Sequence, residues 1–183
     1  MLKKYFLIAL ALGALAVNCQ AQSQNPKDEK IAKKAEFYSR AAETRKNAAD
    51  AQKRLAEQLE ERAYRIKIES EESEETRYRN AGKLEMQAGD IRLAASRNYS
   101  CAFSNVENAI IVYKVLKDRT KEDKLLNLKE DNLLEALSNY QTAISDYERA
   151  ADSFSETKGN DPEKTALASE KAATQLEKLA IEK

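Results

Sequence analysis

Residues that interrupt helices are scarce in this chain, and that scarcity constrains its fold more than any other feature. Only four glycines and two prolines occur in 183 residues. Tight turns between strands depend on glycine and proline, so the sequence leaves little room for β-hairpins. Between the few interruptions, apolar residues recur three, four or seven positions apart, the spacing of one α-helix face. The sequence therefore predicts an all-α protein of four to five long helices, arranged as an antiparallel bundle or a short solenoid.

Capping residues and breaks set the predicted boundaries. The predicted single domain contains a long helix, a helical hairpin and two further helices, at 26–70, 74–117, 121–157 and 161–182. Asn25 suits an N-cap and Pro26 the first position of the first helix. The turn of the hairpin is predicted at Gly89-Asp90, and Thr120 with Asp123 forms a variant of the capping box.

The apolar positions of each helix predict which face turns inward. In the first helix the stripe includes Ala35, Ala42, Ala49, Leu55, Leu59 and Ala63. The third helix carries the strongest pattern, with heptad-like spacing. Its inward residues are predicted to be Leu126, Leu133, Ala136, Tyr140, Ala143, Tyr147, Ala150 and Phe154. In the last helix the predicted inward residues are Ala166, Ala173, Leu176 and Ala180.

Residues 69–75, Glu-Ser-Glu-Glu-Ser-Glu-Glu, form the one strong charge run. Such a run indicates either a site for a cation or basic partner, or a solvated bend between helices. We favour the bend, with Ser73 as an N-cap, because charged helix surfaces are usually solvated.

The first residues indicate export. Lys3 and Lys4 precede an uncharged apolar stretch from Tyr5 to Val17, followed by polar residues, which is the layout of a secretory signal peptide. The stretch is shorter than the about 20 residues of a membrane span. The predicted organisation is a signal peptide at 1–18, a polar tether at 19–25 and the helical domain at 26–183.

Two cleavage sites compete. Signal peptidase I would cut after Ala21, discarding Cys19. Alternatively, Leu15-Ala16-Val17-Asn18-Cys19 resembles a bacterial lipobox in the relaxed form of spirochaete lipoproteins, in which Asn is tolerated before the cysteine. The resemblance implies that Cys19 is lipidated and that the protein is an outer-membrane or periplasm-facing lipoprotein. Without lipid it would be periplasmic or secreted.

Charge and composition exclude several classes of function. The chain has 31 basic and 31 acidic side chains, and loss of Lys3 and Lys4 leaves the mature chain two charges negative. Nucleic-acid binding requires a concentrated basic face and is not expected. Histidine is absent, which removes the commonest general base and metal ligand. We therefore predict no enzyme activity, no metal and no cofactor.

Small residues in the middle of the chain resemble a tetratricopeptide repeat. Gly82, Gly89 and Ala94 follow the repeat's spacing, and Ala143 and Ala150 resemble part of a second repeat. The aromatic expected four residues after Ala94 is absent, and the two units are not 34 residues apart. The resemblance implies paired helices with Gly89 at their turn and a concave surface that binds a protein or peptide. A generic helical bundle would place the same residues in its core.

Tyrosines and one cysteine are the remaining candidate functional residues. Tyr38, Tyr99, Tyr140 and Tyr147 are interpreted as core residues or, if a groove exists, as anchors for a partner. Cys101 is interpreted as a small buried residue, with an intermolecular disulfide or an oxidation-sensing thiol as the alternative.

These observations lead to three hypotheses for function. The first is an exported, lipid-anchored scaffold that binds another protein. The second is a self-associating coiled-coil protein of the periplasm or envelope, hence a homo-oligomer. The third is a surface-exposed lipoprotein that binds host ligands.

Overall fold

The computed structural model describes residues 26–157 and 162–181, with side chains as far as Lys178. These residues form four helices: α1 (Pro26–Glu69), α2 (Glu74–Leu116), α3 (Arg119–Ser155) and α4 (Pro162–Ile181). The prediction of an all-α protein built from long helices is confirmed. The signal peptide, the tether and Cys19 lie outside the described residues. None of the described helices combines the length and apolarity that a membrane span requires.

The connections between α1 and α2 and between α2 and α3 are short and capped. The acidic run contains the break between α1 and α2. The Ser73 side chain accepts a hydrogen bond from the Thr76 N–H, so the predicted N-cap is confirmed. After α2, Lys117 takes a left-handed conformation with φ 57°, and its N–H donates to the Lys114 carbonyl. The Asp118 side chain then caps α3, so the predicted capping box at Thr120 is wrong.

The hairpin predicted over 74–117 is also wrong, because α2 is one continuous helix of 43 residues. Gly89 lies in the middle of α2 and not at a turn. A helix tolerates an interior glycine at a cost of about 1 kcal/mol relative to alanine. The missing side chain is used for close packing instead.

Each helix packs mainly on the next one in the chain, α1 on α2, α2 on α3 and α3 on α4. Short links make consecutive helices antiparallel. Lys67 near the end of α1 meets Glu85 near the start of α2, while Arg45 meets Asn98 further along. The helices therefore form the predicted antiparallel bundle, with α2 between α1 and α3.

Alanines seven residues apart form the contact between α1 and α2. The buried series are Ala35, Ala42, Ala49, Ala56 and Ala63 in α1, and Ala81, Ala88, Ala95, Ala102 and Ala109 in α2. A seven-residue period keeps one face toward its partner along a supercoil. The small methyl groups let the two backbones approach closely, but each buries little area.

Two predicted inward faces require correction. Leu55 is 47% exposed because Ala56 occupies the buried position of α1. In α4 the buried residues are Ala168, Ala172 and Gln175, whereas the predicted Ala166, Ala173 and Leu176 are exposed. Alanines occur on several faces of α4, so spacing alone does not select the one that meets α3. Ala180 lies beyond the described side chains.

Candidate functional site

Two aromatic rings of α3 lie directly over the two glycines of α2. A Cβ added at Gly82 would stand 2.8 Å from Cε1 of Phe154, and one at Gly89 would stand 2.6 Å from Cε1 of Tyr147. These distances are shorter than van der Waals contact. The glycines singled out by the repeat resemblance therefore make room for rings of the neighbouring helix.

The other residues of that resemblance also belong to helix packing. Ala143 and Ala150 are completely buried in α3, and Ala94 is half-buried. None of them lines a concave surface by itself. In the described helices these residues serve as spacers in the bundle.

The four candidate tyrosines divide into two pairs. Tyr99 and Tyr147 are buried, and their hydroxyls donate to Asp50 at 2.5 Å and to Asp90 at 2.7 Å. Burial, followed by the adjacent carboxylates, raises the pKa of both phenols above the ordinary value. These two tyrosines are core residues joining neighbouring helices.

Tyr38 and Tyr140 are only half-buried. The Tyr140 hydroxyl donates to Oε1 of Gln175 at 2.8 Å, which ties α3 to α4. Tyr38 packs beside the cluster formed by Ala35, Ala109 and Tyr113. Of the four tyrosines, only this pair retains surface that a partner can reach.

Charged and amide side chains form a buried polar seam where α1, α2 and α3 meet. Its members are Glu60 and Lys67 of α1, Glu85 and Arg92 of α2, and Asn132, Asn139, Asp146 and Ser153 of α3. Within each helix these residues are seven apart, with two of them on α1, two on α2 and four on α3. The polar seam was not predicted, although its residues have heptad spacing, because apolar periodicity alone does not indicate buried polar positions.

The outer layer of the seam joins all three helices through Glu85. This carboxylate accepts a hydrogen bond from Lys67 Nζ at 2.7 Å and from the Ser153 hydroxyl at 2.5 Å. A buried carboxylate is tolerated only when paired and hydrogen-bonded, and both conditions are met here.

The next layer is a four-residue charge cluster of Glu60, Arg92, Asp146 and Arg149. Arg92 donates twice to Glu60 Oε1 and once to Oε2, at 2.9–3.1 Å. Arg149 donates to Glu60 Oε1 at 3.0 Å and also contacts Asp146 Oδ1. Asp146 Oδ2 lies 3.2 Å from Arg92 Nε but receives no hydrogen bond, since that N–H points to Glu60.

The pKa values of the two carboxyl groups in this cluster are shifted in opposite directions. Burial, followed by the adjacent Glu60, raises the pKa of Asp146 to about 8. Burial works against ionisation of Glu60 as well, but its hydrogen bond with Asp146 and the guanidinium of Arg92 hold the pKa of Glu60 below its ordinary value. At neutral pH the cluster thus holds a proton on Asp146 beside an ionised Glu60.

Two buried asparagines continue the seam along α3. The side-chain amides of Asn132 and Asn139 each donate at 2.8 Å to the carbonyl four residues earlier, at Leu128 and Glu135. Their Oδ1 atoms accept no hydrogen bond. These two amides bond only within α3, so the interhelical bonds that disfavour a shifted alignment are those of Glu60 and Glu85.

A cavity of about 390 Å³ opens beside the charge cluster, lined by Tyr64, Lys67, Glu85 and Arg149 among others. Its charges are already paired with one another. Nowhere in 26–157 or 162–181 do three residues of the His, Cys, Asp and Glu types gather so that a metal ion could bind.

An apolar groove lies between α2 and α3 at the C-terminal end of α4. It is lined chiefly by Leu93, Arg97 and Cys101 of α2, Leu133 and Leu137 of α3, and Lys178 of α4, and its cavity measures about 560 Å³. We call it the leucine groove. Cys101 is exposed in its wall, so the interpretation of this cysteine as buried is wrong.

Several leucines of α3 remain partly exposed, and two of them, Leu133 and Leu137, line this groove. Leu126 and Leu133 are each 44% exposed, Leu134 is 59% exposed and Leu137 is 42% exposed. The prediction that Leu126 and Leu133 face inward is wrong, since both are 44% exposed and Leu133 borders the open groove instead of a packed helix contact.

The chain matches no protein-family model, no curated protein and no solved structure.

Proposed function

We propose that the protein is an exported, lipid-anchored helical scaffold that binds another protein. Cys19 is its attachment point, residues 20–25 form the tether, and the described bundle carries the binding surface. With 44 residues at about 1.5 Å per residue, α1 makes the bundle about 66 Å long. A body of this length on a tether reaches well beyond the surface of a membrane.

The proposal of export and anchoring rests on the amino-terminal residues. Two lysines, a 13-residue apolar stretch and the relaxed lipobox ending at Cys19 account for that segment. An acylated cysteine followed by polar residues places the bundle next to, but outside, a bilayer.

The proposal of protein binding is carried by the uncovered leucines of α3. The same helix buries Tyr147 and Phe154 completely, yet it leaves Leu133 and Leu137, which line the same groove, 44% and 42% exposed. Contiguous apolar surface on a domain rich in charge is typical of an interaction site. A concave binding surface, as the tetratricopeptide resemblance implies, is a finer form of this proposal.

Self-association is the second candidate, because exposed leucines could equally meet another copy. The alanine heptads of α1 and α2 do not favour self-association, because they are already buried by packing against each other within one chain. Sedimentation equilibrium decides between the two. A monomer at micromolar concentration agrees with a scaffold for other proteins, whereas a stable oligomer supports the coiled-coil alternative.

The intact mass of the mature protein from its native membranes tests the anchor. We expect a chain that starts at Cys19 and carries added acyl mass. A chain that starts at Gln22 without lipid would contradict anchoring and leave a periplasmic or secreted protein. Protease treatment of intact cells then tests surface exposure, and resistance would count against binding of host ligands.

A further inference from the structure

The stripe of α3 that packs against α4 continues into the leucine groove. Tyr140, Ile144 and Tyr147 face α4 and lie in one cluster with Ala172. Counting back from Tyr140 in steps of three and four leads to Leu137, Leu133 and Leu126. These leucines therefore continue the apolar stripe of α3, but no described helix covers them.

The opposite wall of the leucine groove is formed by α2. Leu93, Arg97 and Cys101 follow each other at intervals of four on α2 and line the leucine groove. Ser96 and Ala136 form its floor, where the Ser96 hydroxyl donates to the Ala136 carbonyl at 2.8 Å. The small floor residues leave room between α2 and α3 in the position where α4 lies further along.

The charges at the rim are unbalanced. Arg97 and Lys178 both line the groove and are exposed. Within the described part of the chain, neither cation has a hydrogen bond or an ion pair. An occupant that carries acidic groups along the same edge would pair with both.

The size of the uncovered surface separates the candidate occupants. Leu133 and Leu137 of α3, with Leu93 of α2 across from them, give the groove a narrow apolar surface, whereas a stable dimer buries about 800 Å² on each partner. A single amphipathic helix needs less contact area than a dimer interface. Its anchor residues recur at the same three- and four-residue spacing as the apolar stripe of α3.

We infer that the leucine groove docks an amphipathic helix of a partner protein, with apolar residues toward α3 and acidic residues toward Arg97 and Lys178. This inference rests on the proposed function and assigns its binding site. The partner helix lies in line with α4 and continues the bundle. Its flank meets Arg97 and Lys178, while its apolar face covers Leu93, Leu133 and Leu137.

A synthetic peptide of about five helical turns serves as the probe, with leucines at three- and four-residue spacing and glutamates on one flank. The protein is the mature chain with Cys19→Ser, which leaves Cys101 as its single thiol. Docking is expected to slow modification of Cys101 by a maleimide, and the rate at rising peptide concentration measures affinity. A peptide of the same composition with scrambled spacing is the control, and equal protection by both would overturn the inference.

Variants test the two walls separately. Leu137→Glu should weaken binding about tenfold or more, as expected for an anchor residue, while Leu55→Glu on α1 should leave it unchanged. Both leucines are nearly half exposed, so both variants are expected to fold. Arg97→Glu should weaken the glutamate peptide and strengthen one with lysines on the flank. If Arg97→Glu changes the affinity of neither peptide, the proposed contact between Arg97 and an acidic flank is wrong.

Photo-crosslinking in the native host separates failure of the site from failure of the function. A crosslinker placed at Leu133, which lines the groove and is 44% exposed, should attach to an acidic amphipathic helix of another protein, identified by mass spectrometry. If only a crosslinker at Tyr64 on α1 attaches to another protein, the groove is not the binding site, but the proposed protein-binding function stands. Attachment to a second copy of the chain would replace the partner by self-association. No attachment from either position would overturn both proposals.

Discussion

The substitution Asp146→Asn tests the charge cluster at the centre of the polar seam. Asparagine has nearly the same shape as a protonated aspartate. Its Oδ1 can still accept from Arg149, and its amide can donate to Glu60 where the proton of Asp146 would lie. We expect the variant to fold in the same way and to lose the pH dependence of the wild type.

The sign of that dependence follows from the raised pKa of Asp146. The folded chain keeps the proton up to about pH 8, whereas the unfolded chain releases it near 3.8. Folding therefore takes up a proton between these values, and the free energy of unfolding falls as pH rises through this window. At pH 7, about three units above 3.8, the loss amounts to at most about 4 kcal/mol, at about 1.4 kcal/mol per unit.

Urea denaturation between pH 5 and 8 measures this effect. The chain contains no histidine, so the side chain that ordinarily titrates in this range is absent. The lowered pKa of Glu60 contributes stability that is lost only as pH falls below about 4.5, outside the window. Asp131→Asn, an exposed position on the same helix, is the matched control.

We expect the wild type to lose stability steadily from pH 5 to 8, Asp131→Asn to follow it, and Asp146→Asn to stay level. The advantage of Asp146→Asn should therefore be largest near pH 8. A wild type that is flat over this range, or an Asp146→Asn variant less stable than the wild type at pH 7.5, would refute the reasoning.

Two further substitutions test the packing and the helix ends. Gly89→Ala is expected to cost about 1–2 kcal/mol, because overpacking against Tyr147, whose hydroxyl is held by Asp90, outweighs the helix gain of about 1 kcal/mol. In a Tyr147→Ala background the same change should stabilise, and a loss measured by urea denaturation in both backgrounds would contradict the contact. Lys117→Gly should raise the melting temperature, since an L-residue in the left-handed region costs about 1 kcal/mol or more. An unchanged or lower melting temperature would show that the Lys117 side chain compensates for its backbone.

Local patterns in the sequence were sufficient for the fold class and most helix boundaries. Scarce glycine and proline predicted long helices, and Ser73 was recognised as the cap of α2. These features depend on residues close together in the chain, whose backbone preferences and capping groups act locally. The hairpin at Gly89 failed because a glycine can mark a turn or a close approach, and only the ring of Tyr147 distinguishes the two.

The candidate sites depended on tertiary structure. Leu126 and Leu133 carry the same heptad signal as Tyr147 and Phe154, yet only the latter pair packs against α4, so exposure was decided by which part of α3 the helix α4 contacts. The charge cluster likewise requires Glu60, Arg92 and Asp146 from three helices to meet. Periodicity determines which residues share a face of one helix. What that face meets is decided by the packing of helices far apart in sequence, and the sequence of a single helix does not contain that information.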